Sequence, residues 1–365
     1  MTIYNEFGPE KQIEVFDSKT GLRGFLVIDN TVRGVGKGGL RVADGVSLEE
    51  VFRLARAMTY KCTMANLPFG GAKSGLLVPN GVSKADAVKW FAEQIRMFIP
   101  KYYVAGPDMS TGEKEMDIIT ETIGIANAAT GKTLKNGGLP HELGSTGYGV
   151  AWSLLSTLEY LKKDPKETNV AIEGFGNVGI FTSKFLTEHG IRIVAVSDSK
   201  GTIYNKKGLD IEKLIVVKEK TGAVINYEDG QKLETKDLFS LDVDVLIPGA
   251  RPDSINEKNF HIIKADIIIE AGNVPMSETL EESFFRKGVL VIPDFIANAG
   301  GVISSWVEYE NDKKPTPKIV IEKMFKEVKA RVSENTIIAL KKAEKEHLSV
   351  RKAAMEIVRE RLQID

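Results

Sequence analysis

The sequence predicts an α/β fold of two domains, one of them a doubly wound parallel sheet. Three observations carry this. The chain has 365 residues, long for a single core. From Val170 onward, strand-like and helix-like stretches alternate, the pattern of a parallel sheet covered by helices. The segment before that is also mixed, with its own strands and amphipathic helices.

Taken in order, 14–17 and 24–29 read as short strands around a Lys-Thr-Gly turn. Ser47 caps a helix with Glu50 at the capping-box position. That helix lays Val51, Leu54, Ala55, Met58, Cys62 and Ala65 on one face. Strands are expected at 75–78 and 102–105, and helices at 83–98 and 112–123. A mostly apolar helix covers 145–161 and ends at Lys162-Lys163-Asp164-Pro165. Then follow strand 170–173, helix 178–189, strand 192–197, helix 210–221 and strands 243–247, 267–270 and 289–292. From Pro317 the chain reads as long charged helices, with Ile319, Met324, Val328 and Val332 close to one face. The expected domains are 145–333 for the doubly wound part, and 1–144 joined by 334–365 for the other.

Composition narrows the possible roles. Apolar residues make up 42% and charged residues 27%, and 49 basic side chains face 50 acidic ones. That is an ordinary globular balance, with no basic excess for nucleic acid. No polybasic run or lipidation signal points to a membrane. Met1–Glu10 lacks the basic start and apolar run of a leader, and the apolar stretches are too short to span a bilayer. Cys62 is the single cysteine. It reads as a small buried thiol, and a reducing cytoplasm fits. None of the four histidines forms a ligand-spaced pair, so no metal site is expected.

The segment Gly174-Phe175-Gly176-Asn177-Val178-Gly179 fits G-x-G-x-x-G, a pattern that ordinary turns also produce. Its context is more specific. A strand runs into Gly174, a helix opens at Val178, and the next strand ends at Asp198, 19 residues beyond Gly179. In a Rossmann-type dinucleotide site Gly174 permits the tight turn, Gly176 lets backbone approach a pyrophosphate, and Gly179 allows close helix–strand packing. The helix N-terminus supplies free amides and partial positive charge. Asp198 would accept the ribose hydroxyls and lean the site toward NAD, while Ser197, Ser199 and Lys200 would accommodate the 2′-phosphate of NADP. The competing reading is a βαβ unit that binds nothing.

The first domain carries an unusual set of lysines: Lys37-Gly38-Gly39-Leu40-Arg41, Met58-Thr59-Tyr60-Lys61 and Pro68-Phe69-Gly70-Gly71-Ala72-Lys73-Ser74-Gly75, with Asp108 in Gly106-Pro107-Asp108-Met109-Ser110-Thr111. Taken singly, Lys61 is a snorkelling stem, Lys37 and Lys73 are turn lysines, and Asp108 caps the following helix. Taken together, they form a site. Lysines brought to one place depress one another's basicity, and burial adds to this. A partly neutral amine suits amine and carbonyl chemistry. Three lysines and a carboxylate match a dicarboxylic amino acid.

At these motifs the chain resembles the glutamate/leucine/phenylalanine/valine dehydrogenase family, closest to its glutamate enzymes. The similarity runs from about Arg33 to the C-terminus. It also rests on Gly144-Ser145-Thr146-Gly147-Tyr148-Gly149-Val150 and Ile296-Ala297-Asn298-Ala299-Gly300-Gly301-Val302. The lysine blocks lie 24 and 12 residues apart. The resemblance implies reversible NAD(P)-dependent oxidative deamination of L-glutamate to 2-oxoglutarate and ammonia, in a deep cleft between a substrate and oligomerisation domain and the dinucleotide domain. It makes Lys73 the catalytic lysine that activates water and Asp108 the proton shuttle. Lys61 would hold the α-carboxylate, and Lys37, with Gly38 beside it and Ser305 as partner, the side-chain carboxylate. Asn298 would orient the substrate's amino and carboxylate groups. Thr146, Asn177, Val178 and Asn273 would join Gly174, Gly176, Gly179, Asp198 and Ser199 around the cofactor. A homohexamer is implied, with dimer and octamer as alternatives. Rival readings are a leucine, valine or phenylalanine dehydrogenase of the same family, a metal-dependent enzyme of malic type, and a nucleotide-binding regulatory protein without catalysis. After Arg41 the chain reads Val-Ala-Asp-Gly where the family usually carries an aromatic and a His-Pro pair.

Overall fold

The computed structural model describes residues 4–311 and 315–364, apart from the side chain of His141. Residues 1–3, part of the segment read for a leader, lie outside it. The chain divides into two compact units, Met1–Leu143 with Val302–Glu327 and Val358–Asp365, and Gly144–Gly301 with Val328–Ile357. The expected return to the first domain at residue 334 therefore differs: residues 302–327 belong to the first unit and 328–357 to the second. A single helix, Lys318–Glu346, spans that change, and its unbroken periodicity carries no boundary signal.

The first unit is built on β1 (Lys11–Phe16), β2 (Arg23–Asn30), β3 (Gly36–Val42), helix α1 (Leu48–Met64), β4 (Gly70–Leu77), α2 (Lys84–Gln94), β5 (Tyr103–Pro107) and α3 (Glu113–Ile123). The five strands form one sheet in the order β1-β2-β4-β3-β5. β1 and β2 form an antiparallel hairpin, and β2 pairs antiparallel with β4. β3 lies parallel to both β4 and β5. One face carries Leu26, Ile28, Leu40, Ala72 and Leu76 into a core with Val88 and Phe91 of α2 and Met116 and Ile119 of α3. Against the other face Phe25 and Val27 pack with Val51, Phe52 and Ala55 of α1. Ser47 caps α1 as expected, its side chain accepting from the Glu50 amide. Asp29 is fully buried under α1 and its carboxylate accepts from Arg56 Nε at 2.8 Å and Thr59 Oγ1 at 2.6 Å.

Three local departures from expectation bear on the site. β3 was not expected. The strand at 75–78 is longer and begins at Gly70. The helix expected over 83–98 stops at Gln94 and continues as a 3₁₀ turn, Arg96–Phe98. Both strands are glycine-rich because backbones meet there: a Cβ on Gly38 would lie 1.6 Å from the Ala72 carbonyl oxygen.

The second unit runs α4 (Ser145–Leu161), β6 (Asn169–Glu173), α5 (Asn177–Glu188), β7 (Arg192–Asp198), β8 (Gly201–Tyr204), α6 (Ile211–Thr221), β9 (Gln231–Leu233), β10 (Val245–Pro248), β11 (Ile267–Ile269), α7 (Glu278–Arg286), β12 (Leu290–Ile292) and α8 (Asp294–Ala297). Its sheet has the order β12-β11-β10-β6-β7-β8-β9. Strands β12 to β7 are parallel, and β8 and β9 form an antiparallel edge. This is the doubly wound sheet predicted, with the strand order reversing between β6 and β10. The chain ends with α9 (Gly300–Glu310), α10 (Lys318–Glu346) and α11 (Val350–Leu362). Met324, Val328 and Val332 are buried along α10, but Ile319 is 71% exposed at its first turn, off the expected apolar face.

Candidate active site

Side chains alternate along a strand, so Lys37, Gly39 and Arg41 share one face of β3. The register pairs Lys37 with Gly71 and Arg41 with Gly75 of β4, and Gly39 with Gly106 of β5. Lys73 and Asp108 thereby reach the same face. Lys73 Nζ donates to Asp108 Oδ1 at 2.8 Å, and Arg41 Nε donates to Asp108 Oδ2 at 2.8 Å. Arg41 is itself held by Glu50 at 2.5 Å. The glycines make the room: a Cβ on Gly39 would lie 2.7 Å from Asp108 Cβ. The Asp108 amide donates to Thr111 Oγ1 at 2.9 Å, which fixes the turn after β5. Burial alone would raise the Asp108 carboxyl, but Lys73 and then Arg41 hold it down at about 2.

Lys37 is buried, and its ammonium donates to the Ala105 carbonyl at 2.6 Å. Burial is the main force on it and lowers its pKa from 10.5 to about 7, against the opposing pull of Glu308. A Cβ on Gly106 would lie 2.5 Å from Lys37 Nζ, so glycine is what admits the ammonium there. Glu308, on α9, is buried and accepts from Lys132 Nζ at 2.5 Å and from the Gly131 and Leu139 amides at 2.8 and 2.6 Å. Lys61 is half-buried near the end of α1, and Ser305 is half-buried on α9 and makes no hydrogen bond to Lys37. The structure thus joins Lys73 with Asp108 directly and places Lys37 on the same strand face. Arg41 is a partner that the sequence reading passed over. Its spacing from Lys37, an even number of residues along a strand, is the signal that would have found it.

The second unit carries a groove of about 860 Å³ at the carboxyl ends of β6, β7 and β10. This is the switch point where doubly wound sheets bind ligands. Gly174, Gly176, Asn177, Val178, Gly179, Asp198 and Ser199 line it, together with Lys218 and Lys236. The three glycines differ in geometry. Gly174 has φ +92°, a conformation glycine favours. A Cβ on Gly179 would fall 1.9 Å from the Gly174 carbonyl oxygen, whereas nothing lies within 4 Å of one on Gly176. The open side of Gly176, at the N-terminus of the 12-residue α5, fits a pyrophosphate. Thr146 is half-buried in the first turn of α4, where a Cβ on Gly301 would lie 2.9 Å from its Oγ1.

Asp198 is not bare. It accepts from Lys218 Nζ at 2.5 Å, the Val224 amide at 2.8 Å and the Lys200 amide at 2.8 Å. Burial would raise this carboxyl, and Lys218 with the two amides keeps it below its ordinary value. Asn298 Nδ2 donates to the Ala271 and Gly272 carbonyls at 3.2 and 3.0 Å and to Asn273 Oδ1 at 3.2 Å. Its Oδ1 is buried and finds no hydrogen-bond partner among the described residues. Cys62 is fully buried, which pushes its thiol up to about 12. Among the described residues no group of three or more His, Cys, Asp or Glu side chains is arranged to hold a metal ion, and no helix is long and apolar enough to cross a membrane.

Two family models match, "Glutamate/Leucine/Phenylalanine/Valine dehydrogenase" over residues 137–363 and "Glu/Leu/Phe/Val dehydrogenase, dimerisation domain" over 9–124. Glutamate dehydrogenase of Aeropyrum pernix is 37% identical over 91% of this chain and 83% of its own length. That of Thermotoga maritima is 38% identical over 79% and 72%. The hetero-hexameric glutamate dehydrogenase of Thermus thermophilus, solved in a Leu-bound form, superposes with a TM-score of 0.85 at 26% identity, covering 97% of this chain and 88% of that one. The chain belongs to the glutamate/leucine/phenylalanine/valine dehydrogenase family, a family of amino-acid dehydrogenases.

Proposed function

We propose that the protein catalyses the reversible, NAD(P)-dependent oxidative deamination of L-glutamate to 2-oxoglutarate and ammonia. The observation that carries this reading is the ion pair of Lys73 with Asp108 on the strand face that also buries Lys37. Among the described residues Lys37 has no salt-bridge partner, and a buried ammonium so placed is costly beside an apolar side chain and useful beside a carboxylate. Lys37, with Gly38 and Ser305, is therefore assigned to the distal carboxylate, and Lys61 to the α-carboxylate. This favours glutamate over leucine, valine or phenylalanine.

Asp108 takes a proton from the substrate ammonium and returns it in the amination direction. Lys73 orients and polarises the water that attacks C2 once the substrate is oxidised. Asn298, with its unpartnered Oδ1, accepts from the substrate amine. When bound, the nicotinamide would take up the hydride that leaves C2. Thr146, Asn177, Val178, Ser199 and Asn273 are assigned to the cofactor with the glycines. Asp198 leans the site to NAD through the ribose hydroxyls. Lys218 and Lys236 supply positive charge for the 2′-phosphate of NADP, so we assign use of both. Relatives include enzymes named NADP-specific, from Halobacterium salinarum and Saccharolobus shibatae. We further assign a homo-oligomer, with a hexamer favoured.

The test is Lys73→Ala. Its deamination of glutamate should fall by about 10³-fold or more, with cofactor binding kept. Near wild-type turnover in that variant would refute the assignment.

A further inference from the structure

A buried ionic cluster lies in the second unit, outside the nucleotide groove. Glu270 follows β11, Asp294 opens α8, Glu281 sits on α7 and Arg351 on α11. The three carboxylates are buried. Arg351 Nε donates to Glu281 Oε1 at 2.6 Å, and its Nη2 lies 3.4 Å from Glu270 Oε2 and 3.3 Å from Asp294 Oδ1. The guanidinium also stacks over Phe295, 5.1 Å from the ring centroid. Replacing such a cluster by apolar residues is often neutral or stabilising, so its presence asks for a structural task.

Its contacts point to one. Glu270 Oε2 accepts from the Asp294 amide at 2.9 Å, which ties the end of β11 to the start of α8. Asp294 Oδ2 accepts from the Val274 amide at 2.9 Å. Val274 is a β-branched residue at φ +50°, a conformation that costs energy unless the surroundings impose it. Asn298, at the end of α8, is held to the same loop through Ala271, Gly272 and Asn273. The loop 271–274 and the Asn298 side chain are therefore clamped by groups that converge on one guanidinium.

We propose that Arg351 is a positioning residue for the reaction: through Glu270 and Asp294 it sets the loop 271–274 and the orientation of Asn298 and Asn273. The inference rests on the reading of those two asparagines as substrate and cofactor contacts. Glu281 is the internal comparison, because its hydrogen bond goes to Arg351 and not to the loop or to α8. Three carboxylates against one guanidinium leave the cluster short of positive charge. Burial accordingly pushes the Glu281 carboxyl up to about 7 and that of Glu270 well above its ordinary value.

The experiment uses the whole enzyme with Arg351→Met, Arg351→Lys and Glu281→Gln. Amide hydrogen exchange at Val274 reports the clamp without any reference to activity, and kcat and KM for 2-oxoglutarate report its consequence. In Arg351→Met, Val274 exchange should accelerate and kcat/KM should fall by about 10- to 100-fold, as expected when a contact group shifts by roughly an ångström. Arg351→Lys should recover part of both, and Glu281→Gln should leave both within about threefold of wild type. Where Arg351→Met does not fold, Arg351→Lys decides on the same two readouts. Unchanged Val274 exchange in the folded Arg351 variants overturns the proposal, as does faster exchange with kcat/KM retained. A wild-type enzyme inactive on 2-oxoglutarate would instead sink the functional reading, while the exchange result would still judge the clamp.

Discussion

Replacing Lys37 by methionine should make the protein more stable and less able to use a dicarboxylic substrate. The ammonium is fully buried, and its pKa moves from 10.5 to about 7. At about 1.4 kcal/mol per pH unit, this corresponds to a destabilisation of up to roughly 5 kcal/mol. Methionine has a similar length and flexible, polarisable packing. The Ala105 carbonyl keeps a partner, because the Thr130 amide also donates to it at 2.9 Å. Allowing for the lost attraction to Glu308 and for imperfect packing, the gain at pH 7 should be about 2–4 kcal/mol.

The sign with pH follows from linkage. Between the folded and unfolded pKa the unfolded chain binds the extra proton, so the wild type gains stability as pH rises. The penalty is fully present below about pH 7 and is gone near 10.5. The advantage of Lys37→Met should shrink across that window. Urea unfolding at fixed protein concentration and at several pH values measures it. A variant less stable than wild type at pH 7, or an advantage that does not vary with pH, would refute the reasoning. KM for 2-oxoglutarate should rise by at least about tenfold, the usual loss when a buried charged partner is removed.

Other perturbations test separate parts of the site. Arg41→Met removes one of the two cations that hold Asp108 at about 2, so the acid limb of the kcat/KM profile should move to higher pH, read from initial rates across the acid range. Gly106→Ala puts a methyl group 2.5 Å from Lys37 Nζ, so the ammonium must shift. It should raise KM for 2-oxoglutarate by about tenfold while Tm changes by only a few degrees, checked by steady-state kinetics and thermal unfolding. Lys218→Ala uncovers the Asp198 carboxylate and should lower kcat/KM with NADPH by about tenfold more than with NADH, measured as the ratio of the two.

Much of the fold was legible because its signals are local. The glycine fingerprint is a matter of one positive φ at Gly174, one open position at Gly176 and one tight contact at Gly179, all within a strand–turn–helix. The caps at Ser47 and Ser83 act within three residues of themselves. β3 was not legible, because three of the seven residues of Gly36–Val42 are glycines and only Val42 among them is β-branched, too little to mark a strand. Those glycines answer to backbone on β4 and β5, which no window along the chain contains. The lysine set was read as one site, yet the partner of Lys73 depends on the parallel packing of β3 between β4 and β5. The Asp198–Lys218 pair and the Arg351 cluster bridge 20 and up to 81 residues of sequence. Charge complementarity over such spans is visible only once the sheet is assembled. The long helix α10 hides the change of unit for the opposite reason, being locally uniform through it.

On the proposed assignment, the buried ammonium of Lys37 selects a substrate with a second carboxylate for the chemistry at Lys73 and Asp108. The most direct measurement is a side-by-side comparison of reductive amination of 2-oxoglutarate and 4-methyl-2-oxopentanoate, with ammonia and either reduced cofactor. A kcat/KM at least about 10³-fold higher for 2-oxoglutarate is the predicted result, the scale expected where a polar site rejects an analogue that leaves its charge unpaired. Equal or better use of the branched-chain acid would contradict it.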